Sequence, residues 1–201
     1  REAVARAAQA SKANVRSARV AMGGVSLEEL RSPGDITLTT SGGIASEREV
    51  ERAHRESEKK AISKLINRTI LHTIPLQYRI DGVPIQGRPH GLQGTKLSVD
   101  TLIISMLTQH HDDLIDAVES AGIEVEGVMA SPLAACFVTL TKAQKTAGVI
   151  LANIGAETLS IIVYDNDVPI SLKVFPIGSS NITNAIALSF QLPLHEAEQM
   201  K

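Results

Sequence analysis

Apolar and polar positions follow two different periods along this chain, and the places where the period changes divide it into elements. Glu2 to Ser11 is alanine-rich and helix-prone, and Ala18 to Met22 reads as a short strand stopped by Gly23-Gly24. Leu27 to Gly34 reads as a polar, proline-containing connection, and Ile36-Thr37-Leu38-Thr39-Thr40 then alternates as a strand ended by Gly42-Gly43. Ser46 and Glu49 have the spacing of a capping box, which predicts a helix running to about Lys64. Its apolar stripe is narrow: Val50, Ala53, Ser57, Ala61 and Leu65. His54 and the charges around it are expected on a solvated face.

Thr69 to Ile80 predicts a long strand in which Pro75, lacking a donor, belongs on an edge or at a bend. Asp81-Gly82 makes a hairpin turn into Val83 to Ile85. From Lys96 to Met106, Leu97, Val99, Thr101 and Ile103 share one face. Both faces turn apolar from Leu102 to Leu107, so the strand is expected to leave a one-sided sheet for one covered on both sides, and a unit boundary is placed there. Strand and helix alternate afterwards: a helix from Asp112 to Ala121 stopped by Gly122, a strand from Ile123 to Met129, and a helix opened by Ser131 as cap and Pro132 in its first turn. Gly148 to Asn153, Leu159 to Tyr164 and Val168 to about Phe175 read as three further strands, the first two joined by the tight turn Gly155-Ala156-Glu157-Thr158. The pattern is α/β.

Composition sharpens this picture. Of the 201 residues 43% are hydrophobic and 21% charged, enough apolar surface for a folded core, whereas aromatics at 2% leave that core aliphatic and supply no base-stacking platform. The net charge of −2 gives no reason to expect nucleic acid as a partner. Residues 1 to 80 carry 14 basic and 9 acidic side chains and residues 81 to 201 carry 6 and 13, a polarity that suits contacts between neighbouring parts or copies. No run approaches the roughly 18 apolar residues of a membrane span. Arg1 is not an initiator methionine, and the helix-like pattern of His195 to Lys201 stops without a cap, so a piece of a longer protein is expected.

Few residues offer chemistry. In the turn at 155–158, a small residue and a hydroxyl allow backbone N–H groups and Thr158 Oγ1 to meet a phosphate, although most such turns are plain hairpins. His110-His111-Asp112-Asp113 resembles a metal cluster but is read as a helix start whose acidic residues complement the dipole, so no metal site is expected. Cys136, the single cysteine, sits in an apolar helix and is read as a buried small residue. No catalytic residue is assigned.

Taken together, Leu71-His72-Thr73-Ile74-Pro75-Leu76-Gln77-Tyr78-Arg79-Ile80-Asp81-Gly82, Gly91-Leu92-Gln93-Gly94, Met129-Ala130-Ser131-Pro132-Leu133-Ala134-Ala135 and Asn153-Ile154-Gly155-Ala156-Glu157-Thr158 resemble the FtsA family of bacterial cell division. Pilus-assembly adaptors of the PilM type are similar cousins. The resemblance implies a partial actin-like, ribonuclease H-like α/β fold interrupted by an α+β subdomain of the SHS2 type. It divides the chain at 1–26 and 105–148, first actin-like subdomain; 27–104, interposed subdomain; and 149–201, start of the second lobe. Asn153, Gly155, Ala156, Glu157 and Thr158 fall on the family's second phosphate motif, usually Asp-hydrophobic-Gly-Gly-Gly-Thr. The resemblance thus implies ATP with Mg²⁺ as cofactor, and self-association into filaments. It also implies FtsZ and other division proteins as partners, and attachment to the cytoplasmic face of the cell membrane at the division site. Asn153 replaces the aspartate that faces the magnesium shell, and an amide lacks the charge that orients hydrated Mg²⁺, so a scaffold with weak or no ATPase activity is expected. The alternatives are a PilM-like pilus adaptor and an active actin-like ATPase.

Overall fold

The computed structural model describes residues 2–12, 15–39 and 42–201. In chain order the elements are α1 (Glu2–Ser11), β1 (Ser17–Met22), β2 (Glu28–Thr37), α2 (Glu47–Ile62), β3 (Arg68–Ile80), β4 (Val83–Ile85), β5 (Lys96–Leu107) and α3 (Thr108–Glu119). They continue with β6 (Glu124–Ala130), α4 (Ser131–Thr139), α5 (Lys142–Ala147), β7 (Val149–Ile154), β8 (Leu159–Asp165), β9 (Val168–Phe175), α6 (Ser179–Phe190) and α7 (Leu194–Met200). The strands form three sheets: β1 parallel to β6, the antiparallel order β2-β5-β3-β4, and the antiparallel meander β7-β8-β9. The chain leaves β1, builds the whole four-stranded sheet, and returns through α3 to lay β6 beside β1.

Leu27 to Gly34 is not a connection: from Glu28 onward it is the first half of β2, and of the strand expected at 36–40, Thr40 lies outside the described residues. Pro33 is tolerated because β2 is an edge. Leu38 N–H donates to Thr95 O, so even-numbered positions bond inward to β5 and Pro33 faces the open side, where no donor is missed. Gly34 is required by packing, since a Cβ there would stand 2.0 Å from Ala53 O on α2. Helix α2 is thereby seated directly on β2. Ser32 Oγ donates to Ser57 O at 2.8 Å and Ser57 Oγ returns a bond to Ser32 O at 2.9 Å, which satisfies two buried hydroxyls across the same contact.

The expected stripe of α2 is observed, with Val50, Ala53, Ser57 and Ala61 buried. Glu49 is buried as well, because its carboxylate accepts from Ser46 N–H at 3.3 Å and from Thr39 N–H at 3.1 Å, so that one side chain caps the helix and holds the end of β2. His54 departs from the solvated face: it is half-buried, 2.7 Å from Tyr78 Oη, and its pKa is lowered chiefly by burial. Asp35 joins Lys96 and Ser98 of β5 to Lys60 of α2, at 3.0, 2.9 and 3.2 Å, and those contacts, Lys96 foremost, hold its pKa down to about 2.

Strand β5 stays in its sheet rather than passing into another. Leu97 and Val99 face Ile36, Leu38, Val50, Ala53, Tyr78 and Ile80 beneath α2. On the opposite face Ser98 and Asp100 are polar, but Leu102, Ile104 and Met106 join Met22, Ala130, Leu133 and Cys136, together with Ile162, Tyr164 and Leu172, in one cluster. The two-sided apolar run therefore records a second cover, supplied by the β1–β6 pair and by β8–β9. Pro75 lies at a register shift in the β3–β5 ladder, and Asp81-Gly82 turns with both residues at positive φ.

Two helix starts differ from expectation. Helix α3 begins at Thr108, directly after β5, where Thr108 N–H meets Asn67 O, so Asp112 and Asp113 lie beyond the first turn and cap nothing. Ser131 is the first helical residue of α4 and Ala130 its N-cap, with Pro132 in the first turn. Ser131 Oγ is instead packed against Gly23, where a Cβ would come within 2.6 Å.

Gly34→Ala is expected to destabilise the chain by about 2 kcal/mol or more, because the new methyl meets helix backbone and not the end of a flexible side chain. Urea unfolding of both proteins checks this; an unchanged midpoint would show that α2 is not seated as described.

Candidate functional site

The hairpin between β7 and β8 closes at Ile154 and Leu159, which are partners, and leaves Gly155 to Thr158 as its tip. Gly155 N–H donates to Thr158 O at 2.8 Å, so this N–H is turned into the hairpin and is not offered outward, contrary to a cradle formed by every amide of the turn. The N–H groups of Ala156, Glu157 and Thr158 have no hydrogen-bond partner among the described residues, nor does Thr158 Oγ1. Ala156 and Glu157 are exposed and Thr158 is half-buried. Asn153 is exposed on β7, two residues before the turn and opposite the buried Ser160.

Helix α6 starts against this tip. Ser179 N–H donates to Gly155 O at 2.9 Å and Ser180 N–H to Ala156 O at 2.8 Å, while Asn181 Oδ1 accepts from Gly178 N–H at 2.8 Å. The turn carbonyls thus satisfy the first donors of the helix, and the positive end of its dipole lies beside the tip. A Cβ on Gly178 would stand 2.4 Å from Ala156 O and 2.7 Å from Glu157 N, so glycine is what lets the start of α6 and the turn touch. Gly178, Ser179, Ser180 and Asn181 were not among the residues expected from sequence. The run Gly178-Ser179-Ser180, small residues opening a helical pattern, is the available signal.

This donor set suits an anion more than a cation. Three amides and a hydroxyl can donate to phosphate oxygens, with the occupied N-terminus of α6 adding only its dipole, whereas the exposed carboxylate of Glu157 opposes them. For a hydrated divalent cation the position before the turn offers the neutral amide of Asn153, and among the described residues no cluster of three His, Cys, Asp or Glu side chains forms. Phosphate fits the turn, and tight magnesium binding by these residues does not.

The other candidates are scattered. His111 Nδ1 and Asp112 Oδ1 are 2.8 Å apart on α3, and Gln109 donates to Asp113. Cys136 is fully buried and its thiol pKa is raised by burial, the opposite of an activated nucleophile.

A family model described as "Cell division protein FtsA" matches residues 150–201, and one described as "SHS2 domain inserted in FTSA" matches residues 24–105. Cell division protein FtsA of Borreliella burgdorferi is 31% identical over 191 residues, covering 95% of this chain and 46% of that protein. That of Bacillus subtilis is 33% identical over 174 residues, covering 83% and 39%. The chain spans less than half the length of these curated relatives. A solved PilM-PilN type IV pilus biogenesis complex aligns with a TM-score of 0.56 at 21% identity over 86% of this chain and 47% of that one, a likeness of fold. The architecture is accordingly a partial actin-like α/β fold carrying an SHS2 domain. With one family model on the four-stranded sheet, another on the lobe that holds the turn, and relatives at 31% and 33% identity, the chain belongs to the FtsA family of bacterial cell-division proteins.

Proposed function

We propose that the complete protein is a division scaffold and adaptor that self-associates with ATP and links the FtsZ ring to the cytoplasmic face of the cell membrane. The observation that carries this reading is the four-stranded sheet inserted between β1 and β6, the feature that the SHS2 family model matches. We divide the chain accordingly into residues 1–26 and 105–148 of a first actin-like subdomain, 27–104 of the inserted one, and 149–201 of a second lobe. No described helix here is long and apolar enough to cross a bilayer.

Nucleotide binding rests on the turn at 155–158. Ala156, Glu157 and Thr158 offer N–H groups and Thr158 its hydroxyl to a phosphate, and Asn153 stands where Mg²⁺ orientation would need an acid. ATP would supply the phosphates that order the site, with Mg²⁺ as their counterion. The neutral amide favours a nucleotide-responsive scaffold with little turnover over an active ATPase. The pilus-adaptor reading has likeness of fold behind it, whereas both matching family models named above are those of FtsA.

Three outcomes test this. The complete parent protein should pellet FtsZ with anionic phospholipid vesicles in the presence of ATP; recovery of FtsZ no greater than with vesicles alone would refute the adaptor reading. Calorimetry on the present chain should show at best very weak ATP binding, because an actin-like cleft closes on nucleotide from two sides and one phosphate turn leaves the ordering entropy unmatched; micromolar, magnesium-dependent affinity would overturn this. In the complete protein Asn153→Asp should raise magnesium-dependent phosphate release, and Thr158→Ala should weaken nucleotide binding by roughly 1 kcal/mol. Unchanged values in both variants would reduce the turn to a structural hairpin.

A further inference from the structure

His72 projects from β3 of the four-stranded sheet, next to a register shift in the β3–β5 ladder. Its Nε2 lies 2.9 Å from Ala130 N and accepts that residue's N–H, a bond between positions 58 apart in sequence. A backbone amide can only donate, so Nε2 must carry a bare lone pair and the ring proton must sit on Nδ1. Ala130 is both the last residue of β6 and the N-cap of α4. One imidazole therefore ties the inserted sheet to the corner where β6 turns into α4.

Protonation removes this tie by geometry alone. A proton on Nε2 would point an N–H at the N–H of Ala130, and the resulting cation would face the positive end of α4. The same ring borders a cleft of about 400 Å³ whose walls include Met129, Leu133 and Phe137. The charged or titratable groups facing it come from three other elements: Lys145 on α5, Tyr164 on β8 and Asp167 in the turn before β9. Lys145 Nζ sits 5.0 Å above the ring of Phe137 and 5.3 Å from that of Tyr164. Tyr164, pushed up to about 12 by burial first of all, stays neutral throughout, as does Cys136 of α4, whose thiol is likewise raised by burial.

We propose that His72 is a proton-released latch between the inserted four-stranded sheet and the β6–α4 corner of the actin-like body, closed when the imidazole is neutral and opened when it gains a proton. Burial lowers the His72 pKa below its ordinary 6.5. On acidification the unfolded chain therefore takes up the proton first, so the latch contributes fully above about pH 6.5 and its contribution is lost as the pH falls through the folded-state value. His54 is lowered in the same direction, so bulk stability against pH mixes two groups and a site-resolved measurement is needed.

The experiment is NMR on the full ¹⁵N-labelled chain, titrated from about pH 8 to about pH 5 across the histidine range. At the upper end a scalar coupling through the hydrogen bond should join Ala130 N to His72 Nε2. On acidification that coupling should vanish and the Ala130 amide resonance should move with the midpoint of the His72 ring. His72→Gln offers a carbonyl acceptor that gains no proton, so its Ala130 amide should stay in place across the range. His72→Phe should speed hydrogen exchange at Ala130 by about tenfold at every pH, after correction for intrinsic rates, as loss of one hydrogen bond implies. An absent coupling at the upper pH, or an Ala130 titration that persists in His72→Gln, would overturn the latch and assign the effect to Lys145 or Asp167. Should His72→Phe fail to fold, the wild-type coupling and the His72→Gln titration decide the matter alone.

Discussion

Strand β5 has to be covered on both faces, and most of the architecture answers to that need. Toward α2 it presents Leu97 and Val99; toward the actin-like body it presents Leu102, Ile104 and Met106. A sheet buried on one side is complete once a single helix covers it, but a strand with two apolar faces stays unfinished until a second layer arrives. Here that layer is composite, with Met22, Ala130, Leu133 and Cys136 from the parallel pair and its helix and Ile162 and Leu172 from the three-stranded sheet. The inserted subdomain is thus a separate unit in topology and a shared one in packing. Apolar burial supplies the attraction but little direction, and direction comes from a few polar ties.

Those ties are made by side chains that reach backbone. Arg68 donates to Ser26 O while pairing with Glu28 at 3.3 Å, which gathers the starts of β2 and β3. Glu29 accepts from Leu172 N–H at 2.6 Å and from Ser171 Oγ at 3.0 Å, and pairs with Lys173 at 3.1 Å. Arg31 donates to Ile170 O at 3.0 Å. Two residues of β2 thereby engage four successive residues of β9, Ile170 to Lys173, on the strand that follows β8 from the turn at 155–158. The turn and the inserted sheet are linked through one strand pair and one pair of side chains.

Local chemistry was legible in the sequence wherever a signal and its consequence lie a few residues apart. The capping box at Ser46 and Glu49 set the start of α2, Asp81-Gly82 set the β3–β4 hairpin, and Gly155 to Thr158 set the tip of the next one. What failed was what depends on distant partners. Pro33 and Gly34 look like breakers, yet an open edge tolerates the first and the closeness of Ala53 requires the second. His54 looks like part of a charged face until Tyr78, 24 residues on, meets it. The candidate site divides in the same way: the turn at 155–158 lies where the motif puts it, but the use of Gly155 N–H inside the hairpin and the docking of α6 on the turn carbonyls belong to tertiary geometry.

The β2–β9 contact also bears on solubility. Strands β2 and β9 both stand at the ends of their sheets, and such strands invite pairing with foreign chains. Merging them into one continuous sheet would have sealed both, at the cost of fixing the two layers edge to edge. Instead the carboxylate of Glu29 and the guanidinium of Arg31 occupy the backbone groups of Leu172 and Ile170 that an intruding strand would seek, and Pro33 withholds a donor from the open side of β2. The sheets keep their separate orientations while one exposed template for aggregation is blunted by two charged side chains, Glu29 and Arg31.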